Sequence, residues 1–388
     1  MEKYDLIIVG GGMVGAAAAC GLAQHGFRIA LIEAQEPQAY EHEQPMDLRV
    51  SAISAASERL LRDLGAWQHV EAMRAAPYDT LATWEWQRAE VSFEAAQIDH
   101  SHLGHIVENR VVQLALWQAL AQYDNVDLRV GQRPERLWQD EAGAYLQLGE
   151  ATLAAELMLG CDGARSGVRQ AAGIGLTGWR YRHSCLAINV STALPQQRIT
   201  WQAFTADGPR AFLPLTGARG SLVWYDSPER IEQLMRLDKA ALKRQVQTHF
   251  PQRLGDFEIE AKAAFPLTRQ HAQHYYQGRM VLLGDAAHTI NPLAGQGVNL
   301  GFKDVAALEH ILGQARQKGE SVSAPEVLSR YQCQRRADNL AMQTAMDVFY
   351  HAFSNDWLPL KLGRNLALTL AQRSGPVKQQ VMRYAMGL

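Results

Sequence analysis

The sequence predicts an α/β fold: a parallel βαβ domain, an antiparallel sheet inserted into it, and a helical region at the C-terminus. Three observations predict it. Residues 1–33 pass from a compact apolar run through a glycine-rich turn and an alanine-rich segment to a second apolar run. Residues 181–264 carry short aromatic and β-branched runs separated by proline and glycine, which is typical of antiparallel strands. Beyond Asn299 the pattern is helical to the end of the chain.

The opening βαβ unit is predicted from three segments. Tyr4–Val9 is a strand that ends at glycine, Gly15–Gly26 is a helix with glycine at its stop, and Arg28–Glu33 is a second strand. Strands joined by such a crossover helix lie parallel in the sheet. Two later strands, Glu156–Leu159 and Met280–Leu283, each run into another glycine-containing turn.

These segments divide the chain into three interleaved regions. We assign residues 1–75, 101–180 and 265–343 to a discontinuous βαβ domain, residues 76–100 and 181–264 to the β-sheet domain, and residues 344–388 to C-terminal helices.

Composition narrows the function classes. The 388 residues are 47% hydrophobic and 20% charged, which excludes a disordered chain. The net charge of −2 lacks the basic excess of a nucleic-acid-binding protein, so no nucleic-acid partner is expected. The four cysteines form no CxxC pair and no His–Cys cluster with zinc spacing, so we expect reduced thiols, a cytoplasmic location and no metal.

A glycine motif between the first strand and helix predicts a dinucleotide site. Gly10, Gly12 and Gly15 form G-x-G-x-x-G, which permits a tight turn, close approach of a pyrophosphate and close helix–strand packing. The phosphates then meet free N–H groups at the helix N-terminus. Glu33, at the end of the second strand, is placed to accept hydrogen bonds from the hydroxyls of an adenosine ribose. The domain is therefore predicted to be Rossmann-like.

A second glycine-rich site distinguishes FAD from NAD. Asp285 follows a strand and can hydrogen-bond a polyol chain such as the ribityl group of a flavin, although a helix cap is the alternative role. We expect a flavin-flanking loop with Pro292, Gly295, Gln296 and Gly297, and a helix that begins near Gly297–Asn299 and favours the anion of a reduced flavin. His288 is interpreted as a structural histidine.

Three motifs then resemble those of the FAD-dependent aromatic hydroxylases. They are GGGMVG near the N-terminus, CDGARSGVR in the middle and GDAAHTINPLAGQGVNLGFKD near residue 300. Within that family, RVSAISAAS, DGPRAFLPL, SLVWYDSP and FPLTR resemble the ubiquinone-biosynthesis branch. The resemblance spans nearly the whole chain.

The resemblance implies a cofactor role for further residues. Arg49 should lie near the cofactor, Gln113 should contact the flavin, and Arg110 is a weaker candidate beside it. Asp162 and Gly163 should serve FAD directly. Arg169 is either part of that Asp-Gly motif or a surface or helix-capping arginine.

The remaining implied positions flank the isoalloxazine. These are Pro292 through Asn299, which include Gly295, Gly297 and Val298.

The resemblance also implies a reaction. FAD, reduced by NAD(P)H or another reductant, and O2 should hydroxylate the ring of a polyprenylated benzoquinol or phenol in ubiquinone biosynthesis, through a flavin C4a-hydroperoxide. Three alternatives stay open: hydroxylation of another aromatic substrate, a flavin reductase or oxidase without oxygen transfer, or a non-catalytic flavoprotein that acts as a partner in an assembly. No catalytic acid or base is assigned, since Tyr225 and His183 are the candidates and a structural role is expected for each.

The C-terminal segment suggests how a lipid-soluble substrate reaches the enzyme. From Trp357 to Leu388 there are five basic residues and no acidic one, with apolar residues at helical spacing that include Val377, Val381 and Tyr384. Two interpretations stand: a helical hairpin packed on the core, or a patch that binds the inner face of the cell membrane and that salt weakens. In the second interpretation, the residues after Gly375 are not needed for FAD binding. Other ubiquinone-biosynthesis proteins and a second copy of the chain are further candidate partners.

Overall fold

The computed structural model describes residues 1–290 and 297–386. Its strands, in chain order, are β1 (Glu2–Val9), β2 (Ile29–Glu33), β3 (Val50–Ser54), β4 (Ala76–Tyr78), β5 (Thr80–Trp84), β6 (Val91–Glu94), β7 (Gly104–Glu108), β8 (Val126–Val130), β9 (Arg136–Gln139), β10 (Ala144–Leu148), β11 (Ala151–Gly160), β12 (Leu176–Thr192), β13 (Ile199–Ala203), β14 (Arg210–Leu215), β15 (Arg219–Asp226), β16 (Phe257–Ala272), β17 (Tyr276–Gln277), β18 (Met280–Leu282) and β19 (His288–Thr289).

The α-helices of the same residues are α1 (Met13–Gln24), α2 (Ala55–Asp63), α3 (Trp67–Met73), α4 (Asn109–Leu120), α5 (Gly167–Ala171), α6 (Pro228–Arg236), α7 (Lys239–His249), α8 (Gly297–Lys318), α9 (Pro325–Phe353), α10 (Leu358–Arg373) and α11 (Pro376–Met386).

The first sheet contains the predicted βαβ unit. Its strands run in the order β17-β18-β11-β1-β2-β8, and β10 and β9 extend it from β11. β1 lies parallel to both β2 and β11, and β11 lies parallel to β18. Leu6, Ile7 and Ile8 of β1 have no exposed surface, because helices cover this parallel sheet. The predicted strands and helix of the βαβ unit are confirmed, with bounds shifted by about two residues.

The second sheet is the predicted antiparallel insertion. Its order is β19-β16-β12-β15-β14-β13-β5-β6, and every pair is antiparallel except β13 with β5. β12 pairs with β16 over most of its length, across two bulges. Both strands extend past the predicted boundaries, at 180/181 and 264/265. A change of composition cannot locate a boundary there, because each long strand runs through it without a break.

A small sheet, β3-β7-β4, completes the strand layers. Residues Ala76–Tyr78 were assigned to the β-sheet domain, but they form β4, which pairs with β7 in this small sheet. The C-terminal helices are present as predicted, but α9 begins before the 343/344 boundary and runs through it. Among the described helices, none is long and apolar enough to cross a membrane.

Candidate cofactor and substrate site

The predicted cofactor residues meet where three parallel strands end. Val9 of β1, Gly160 of β11 and Leu282 of β18 are in register across neighbouring strands. The three glycine-containing turns therefore leave the same edge of the sheet, which is where ligands bind in open α/β sheets. Residues far apart in the sequence converge there because the strands are parallel.

A cavity of about 430 Å³ opens at this edge and reaches the second sheet. Its walls from the first sheet and its turns include Gly12, Val14, Gly163, Asp285 and Gly297. The walls from the second sheet are mainly apolar, and they include Cys185, Ala187, Pro209, Ala211, Leu213, Val223, Tyr225, Phe265 and Leu267. One cavity thus joins the predicted flavin-binding turns to the inserted sheet.

The first glycine turn has the geometry that its motif predicts. Gly10 has φ of +101°, and a Cβ there would lie 2.5 Å from the carbonyl oxygen of Cys161. A Cβ on Gly15 would lie 1.8 Å from the carbonyl oxygen of Gly10, so only glycine allows α1 to approach β1 this closely. At Gly12, the N-cap of α1, a Cβ would meet no described atom within 4 Å. The N-terminus of α1 is therefore open to an anion.

Three side chains hold the peptide of Gly11 in this turn. A carboxylate oxygen of Glu33 accepts the N–H of Gly11 at 2.7 Å. The carbonyl oxygen of Gly11 accepts bonds from the amide of Gln113 at 3.0 Å and from the indole N–H of Trp117 at 2.8 Å. Gln113, predicted to contact the flavin, thus bonds the backbone of the glycine turn that is predicted to bind the pyrophosphate. Trp117 was missed, because its spacing of four residues from Gln113 does not by itself point to residue 11.

The Asp-Gly motif forms the second turn. One oxygen of Asp162 accepts the N–H groups of Gly167 and Val168, at 2.7 and 3.1 Å, and so caps α5. Its other oxygen, Oδ1, is buried and has no hydrogen-bond partner in the described part of the chain. Gly163 has φ of +79° and lines the cavity.

Arg169 is neither a surface nor a helix-capping arginine. Its side chain is buried and donates to the carbonyl oxygens of Ala164 and Ala286, both at 2.9 Å. It therefore ties the Asp-Gly turn to the turn that follows β18.

The turn after β18 rests on a buried network around Asp304 of α8. Asp304 accepts the backbone N–H of Gly284 at 3.0 Å and is paired with His288 at 2.5 Å and Arg335 at 2.8 Å. Burial alone would raise the pKa of Asp304, but His288 and Arg335 hold it below its usual range. His288 is structural, as predicted, and Asn339 adds a further bond to Asp304 at 3.0 Å.

Asp285 lines the cavity at the end of β18. Its side chain is exposed to that cavity, yet desolvation by the surrounding protein raises the pKa of its carboxyl group, while His288 and Arg49 act in the opposite direction. The guanidinium of Arg49 lies 5.0 Å from the ring centre of Phe265, and both residues line the same cavity. Asp285 and Arg49 thus line one cavity, and their contact with a cofactor stays a prediction.

The start of α8 also faces the cavity. Gly297 and Val298 line it, and a Cβ on Gly297 would meet no described atom within 4 Å. The side chain of Asn299 is buried, where it donates to the carbonyl of Ala52 at 2.7 Å and accepts the hydroxyl of Ser57 at 2.7 Å. Asn299 thereby fixes the helix start against β3 and α2.

Some predicted positions lie elsewhere. Pro292, Gly295 and Gln296 are outside the described residues. Arg110 does not line the cavity: its guanidinium holds both oxygens of Asp47 at 2.9 Å and reaches the carbonyls of residues 38 and 39. Arg110 therefore stabilises the loop between β2 and β3.

Three residues of the cavity wall carry buried hydroxyl groups. The hydroxyls of Tyr225 and Ser221, and that of Thr289 at the edge strand β19, are buried without a hydrogen-bond partner among the described residues. Burial raises the pKa of Tyr225 well above its usual value, so it stays a neutral hydrogen-bond donor. His183 lies outside this wall and pairs with the hydroxyl of Tyr350 at 2.8 Å.

These observations fit FAD as the cofactor. The open N-terminus of α1 suits a pyrophosphate, and the unpaired Oδ1 of Asp162 lacks the partner that a buried carboxylate requires. Asp285 and the first residues of α8, Gly297 and Val298, line the same cavity. The residues that would hold FAD are thus Gly12, Asp162, Asp285 and Gly297.

Comparison with known proteins agrees with this geometry. The family model described as "FAD binding domain" matches residues 3–345. The chain is 51% identical to the 3-demethoxyubiquinol 3-hydroxylase of Escherichia coli (strain K12), over 100% of this chain and 99% of that protein. It is 32% identical to the mitochondrial ubiquinone biosynthesis monooxygenase COQ6 of Xenopus tropicalis, over 98% and 93% of the two chains.

A solved structure shows the same fold. The p-nitrophenol 4-monooxygenase PnpA of Pseudomonas putida DLL-E4 superposes with a TM-score of 0.78 at 21% identity, covering 100% of this chain and 97% of that one. The chain therefore belongs to the FAD-binding-domain family of flavin-dependent monooxygenases, in the branch of the ubiquinone-biosynthesis hydroxylases.

Proposed function

We propose that this protein hydroxylates the ring of a demethoxyubiquinol that carries a polyprenyl tail. The observation that carries the proposal is the cavity that joins the predicted flavin-binding turns to the inserted sheet. An apolar wall from the second sheet suits an aromatic ring with apolar substituents, and the hydroxyls of Tyr225 and Ser221 can bond the ring oxygens. The relative from Escherichia coli supports the choice of substrate.

The chain's own groups position and enclose the reactants. Bound FAD, once reduced, supplies the chemistry of O2 activation and oxygen transfer. Tyr225 remains protonated, so it donates a hydrogen bond to a ring oxygen and does not act as a base. Leu213, Val223 and Leu267 exclude water from the ring, which favours oxygen transfer over loss of the oxygen as peroxide.

Complementation of a defined bacterial strain tests the substrate. The chain is expressed in a strain that lacks its own demethoxyubiquinol 3-hydroxylase, and the quinones are measured by mass spectrometry. We expect the demethoxy intermediate to disappear and ubiquinone to return. Persistence of the intermediate, with the protein present and carrying FAD, would overturn the proposed substrate.

We further propose that the outer face of α10 contacts the membrane that holds this substrate. Its apolar residues point outwards: Leu358, Leu362, Leu366 and Leu370, spaced four apart, are 52–61% exposed, and Trp357 is 64% exposed. An exposed apolar row of this length is typical of an interaction site. A bilayer is the occupant that the proposed substrate requires, since a polyprenyl quinol does not dissolve in water.

The basic residues contribute less to this face than the sequence predicts. Arg364 is paired with Glu85, Lys361 with Asp356, and Lys378 is buried beside Gln372 and the ring of Phe93. Arg373 and Arg383 remain exposed. Apolar burial should therefore dominate, and salt should weaken binding only slightly.

The end of the chain cannot be removed to test this. Met382 and Met386 of α11 are buried in a cluster with Met46 and Ile106, so truncation after Gly375 would uncover the core. The side chains of Val377, Val381 and Tyr384 lie outside the described residues. α11 thus packs on the core while α10 presents the apolar face.

Point variants on α10 avoid that problem. The triple variant Leu362→Ser, Leu366→Ser and Leu370→Ser should lose most co-flotation with vesicles of phosphatidylcholine and phosphatidylglycerol, and should keep its FAD content. Leu176→Ser with Leu194→Ser, two exposed leucines of the second-sheet domain, is the matched control. Equal flotation of the triple variant and the control would contradict the membrane proposal.

A further inference from the structure

Glu58, His102 and His105 form a cluster outside the cavity. Glu58 lies on α2, His102 precedes β7 and His105 lies within β7. Oε2 of Glu58 lies 2.8 Å from Nε2 of His102 and 3.1 Å from Nδ1 of His105. All three potential ligand atoms lie within 4.8 Å of one another. We propose that this cluster binds one Zn²⁺, with water as the fourth ligand.

The spacing fits a tetrahedral zinc ion. Zinc bonds of about 2.0–2.2 Å to imidazole nitrogen and carboxylate oxygen place neighbouring ligand atoms roughly 3.3–3.5 Å apart. The two distances from Oε2 of Glu58 are within about half an ångström of that. The three ligand atoms lie within 4.8 Å of one another, so the two imidazole rings would turn towards a shared ion. Two imidazoles and one carboxylate are a common zinc ligand set with one open position.

His105 gives an independent indication of a missing ligand. It is 9% exposed, and its Nδ1 is buried without a hydrogen-bond partner in the described chain. Oε2 of Glu58 is near enough, at 3.1 Å, but the direction of the ring nitrogen does not suit a hydrogen bond. A buried nitrogen of this kind costs free energy unless something binds it, and a metal ion between the two atoms would do so.

The surroundings orient the ligands and leave one path for water. Arg62 holds the other oxygen of Glu58, Oε1, at 2.9 Å, and also bonds Glu71. The cluster therefore keeps one net negative charge from the two carboxylates and the arginine.

The ring of His105 packs edge-on against Trp67, with centroids 4.9 Å apart. The side chain of His102 is 24% exposed, which admits the ion and the water ligand.

The position gives the ion a structural role. It would join α2 to the segment that leads into β7, two parts of the chain that lie 44 residues apart at Glu58 and His102. Ser57, next to Glu58, bonds Asn299 at the start of α8. Zinc would therefore stabilise the packing beneath the predicted flavin end of the cavity.

Calorimetric titration of the chelator-treated, FAD-loaded protein with ZnSO4 tests the proposal. The wild type should bind one equivalent at micromolar concentration or below. His102→Asn should weaken this binding at least tenfold, whereas His100→Asn, an exposed histidine two residues away, should leave it unchanged. Glu58→Gln is the second variant, in case His102→Asn fails to fold.

X-ray absorption at the zinc edge provides the second measurement. Two nitrogen ligands and oxygen ligands at about 2.0–2.2 Å are expected. Failure of the wild type to bind zinc, or equal affinities of His102→Asn and His100→Asn, would show that the three residues are only a hydrogen-bonded cluster.

Discussion

Asp304 holds Gly284 through a 3.0 Å hydrogen bond from the glycine N–H to its carboxylate. The bond joins the first turns of α8 to the end of β18, the two elements that carry Gly297 and Asp285. The position of the predicted flavin-binding residues thus depends on a buried carboxylate that does not itself line the cavity. Because His288 and Arg335 also bond Asp304, the site and the core share one network.

Replacing Asp304 should therefore affect stability and cofactor binding together. Asp304→Asn removes the charge that pairs with the buried guanidinium of Arg335, which should cost about 3–5 kcal/mol of unfolding free energy. Denaturant unfolding measures the loss, and flavin absorbance measures the FAD retained. Asp338→Asn, at the more exposed carboxylate that also bonds Arg335, is the control and should cost much less. Equal stability of both variants would contradict this role for Asp304.

Asp285→Ala should weaken FAD binding without unfolding the protein. A hydrogen bond to a charged acceptor commonly contributes about 1.5–3 kcal/mol, so the Kd should rise about 10- to 150-fold. Fluorescence titration of the apoprotein with FAD gives this value. The exposed Asp124→Ala is the control. If Asp285→Ala bound FAD as tightly as wild type, Asp285 would not contact the cofactor.

Gly297→Val should disturb the flavin and leave the fold intact. Gly297 lines the cavity and a Cβ there meets no described atom within 4 Å, so a larger side chain should narrow the cavity without a clash with the described core. We expect low hydroxylation activity, a changed flavin absorption spectrum and an unchanged melting temperature, with Gly297→Ala intermediate. Normal turnover and spectrum in Gly297→Val would place the isoalloxazine elsewhere.

The free energy of unfolding should decrease as the pH is lowered, because of His271. Burial lowers its pKa to about 4, from an ordinary value of 6.5, although the bond to Gln343 acts in the opposite direction. As the pH drops below about 6.5, the unfolded chain takes up a proton that the folded one excludes. The stability that His271 contributes is therefore lost between pH 6.5 and 4, by up to about 3 kcal/mol.

His271→Gln isolates this contribution. Unfolding free energies measured from pH 7 to 4 should fall less steeply in His271→Gln than in wild type, whereas the exposed His274→Gln should follow wild type. Identical slopes in all three proteins would show that His271 titrates normally when folded.

Local patterns predicted the parts of the site that a few consecutive residues define. The glycines at 10, 12 and 15 need only their own spacing, because each acts on the backbone beside it. Asp285 and Gly297 could be placed for the same reason, since strand, turn and helix follow one another directly. The resemblance to a known family added Gln113 and Asp162, but the contact of Gln113 with Gly11 came from the structure.

Contacts between distant residues could not be predicted in this way. In the sequence, Asp304 cannot be distinguished from any other acidic residue of a helix. Only the packing of α8 on β18 brings it to Gly284. Trp117 is four residues from Gln113 on α4, and this helical spacing is the one signal that could have suggested a shared target. The proposed zinc ligands have no local signal in the sequence, because Glu58 lies far from His102-x-x-His105.

Hydroxylation of demethoxyubiquinol under ¹⁸O2 tests the central claim most directly. The FAD-loaded protein is given a reductant, ¹⁸O2 and the quinol in lipid vesicles. The molecular mass of the product is then determined by mass spectrometry, and peroxide is measured in parallel. We predict one ¹⁸O atom on the ring of each product molecule and little peroxide, because the cavity brings the ring to the flavin and excludes water. Unlabelled quinone with peroxide equal to the reductant consumed would contradict this, and would identify an oxidase.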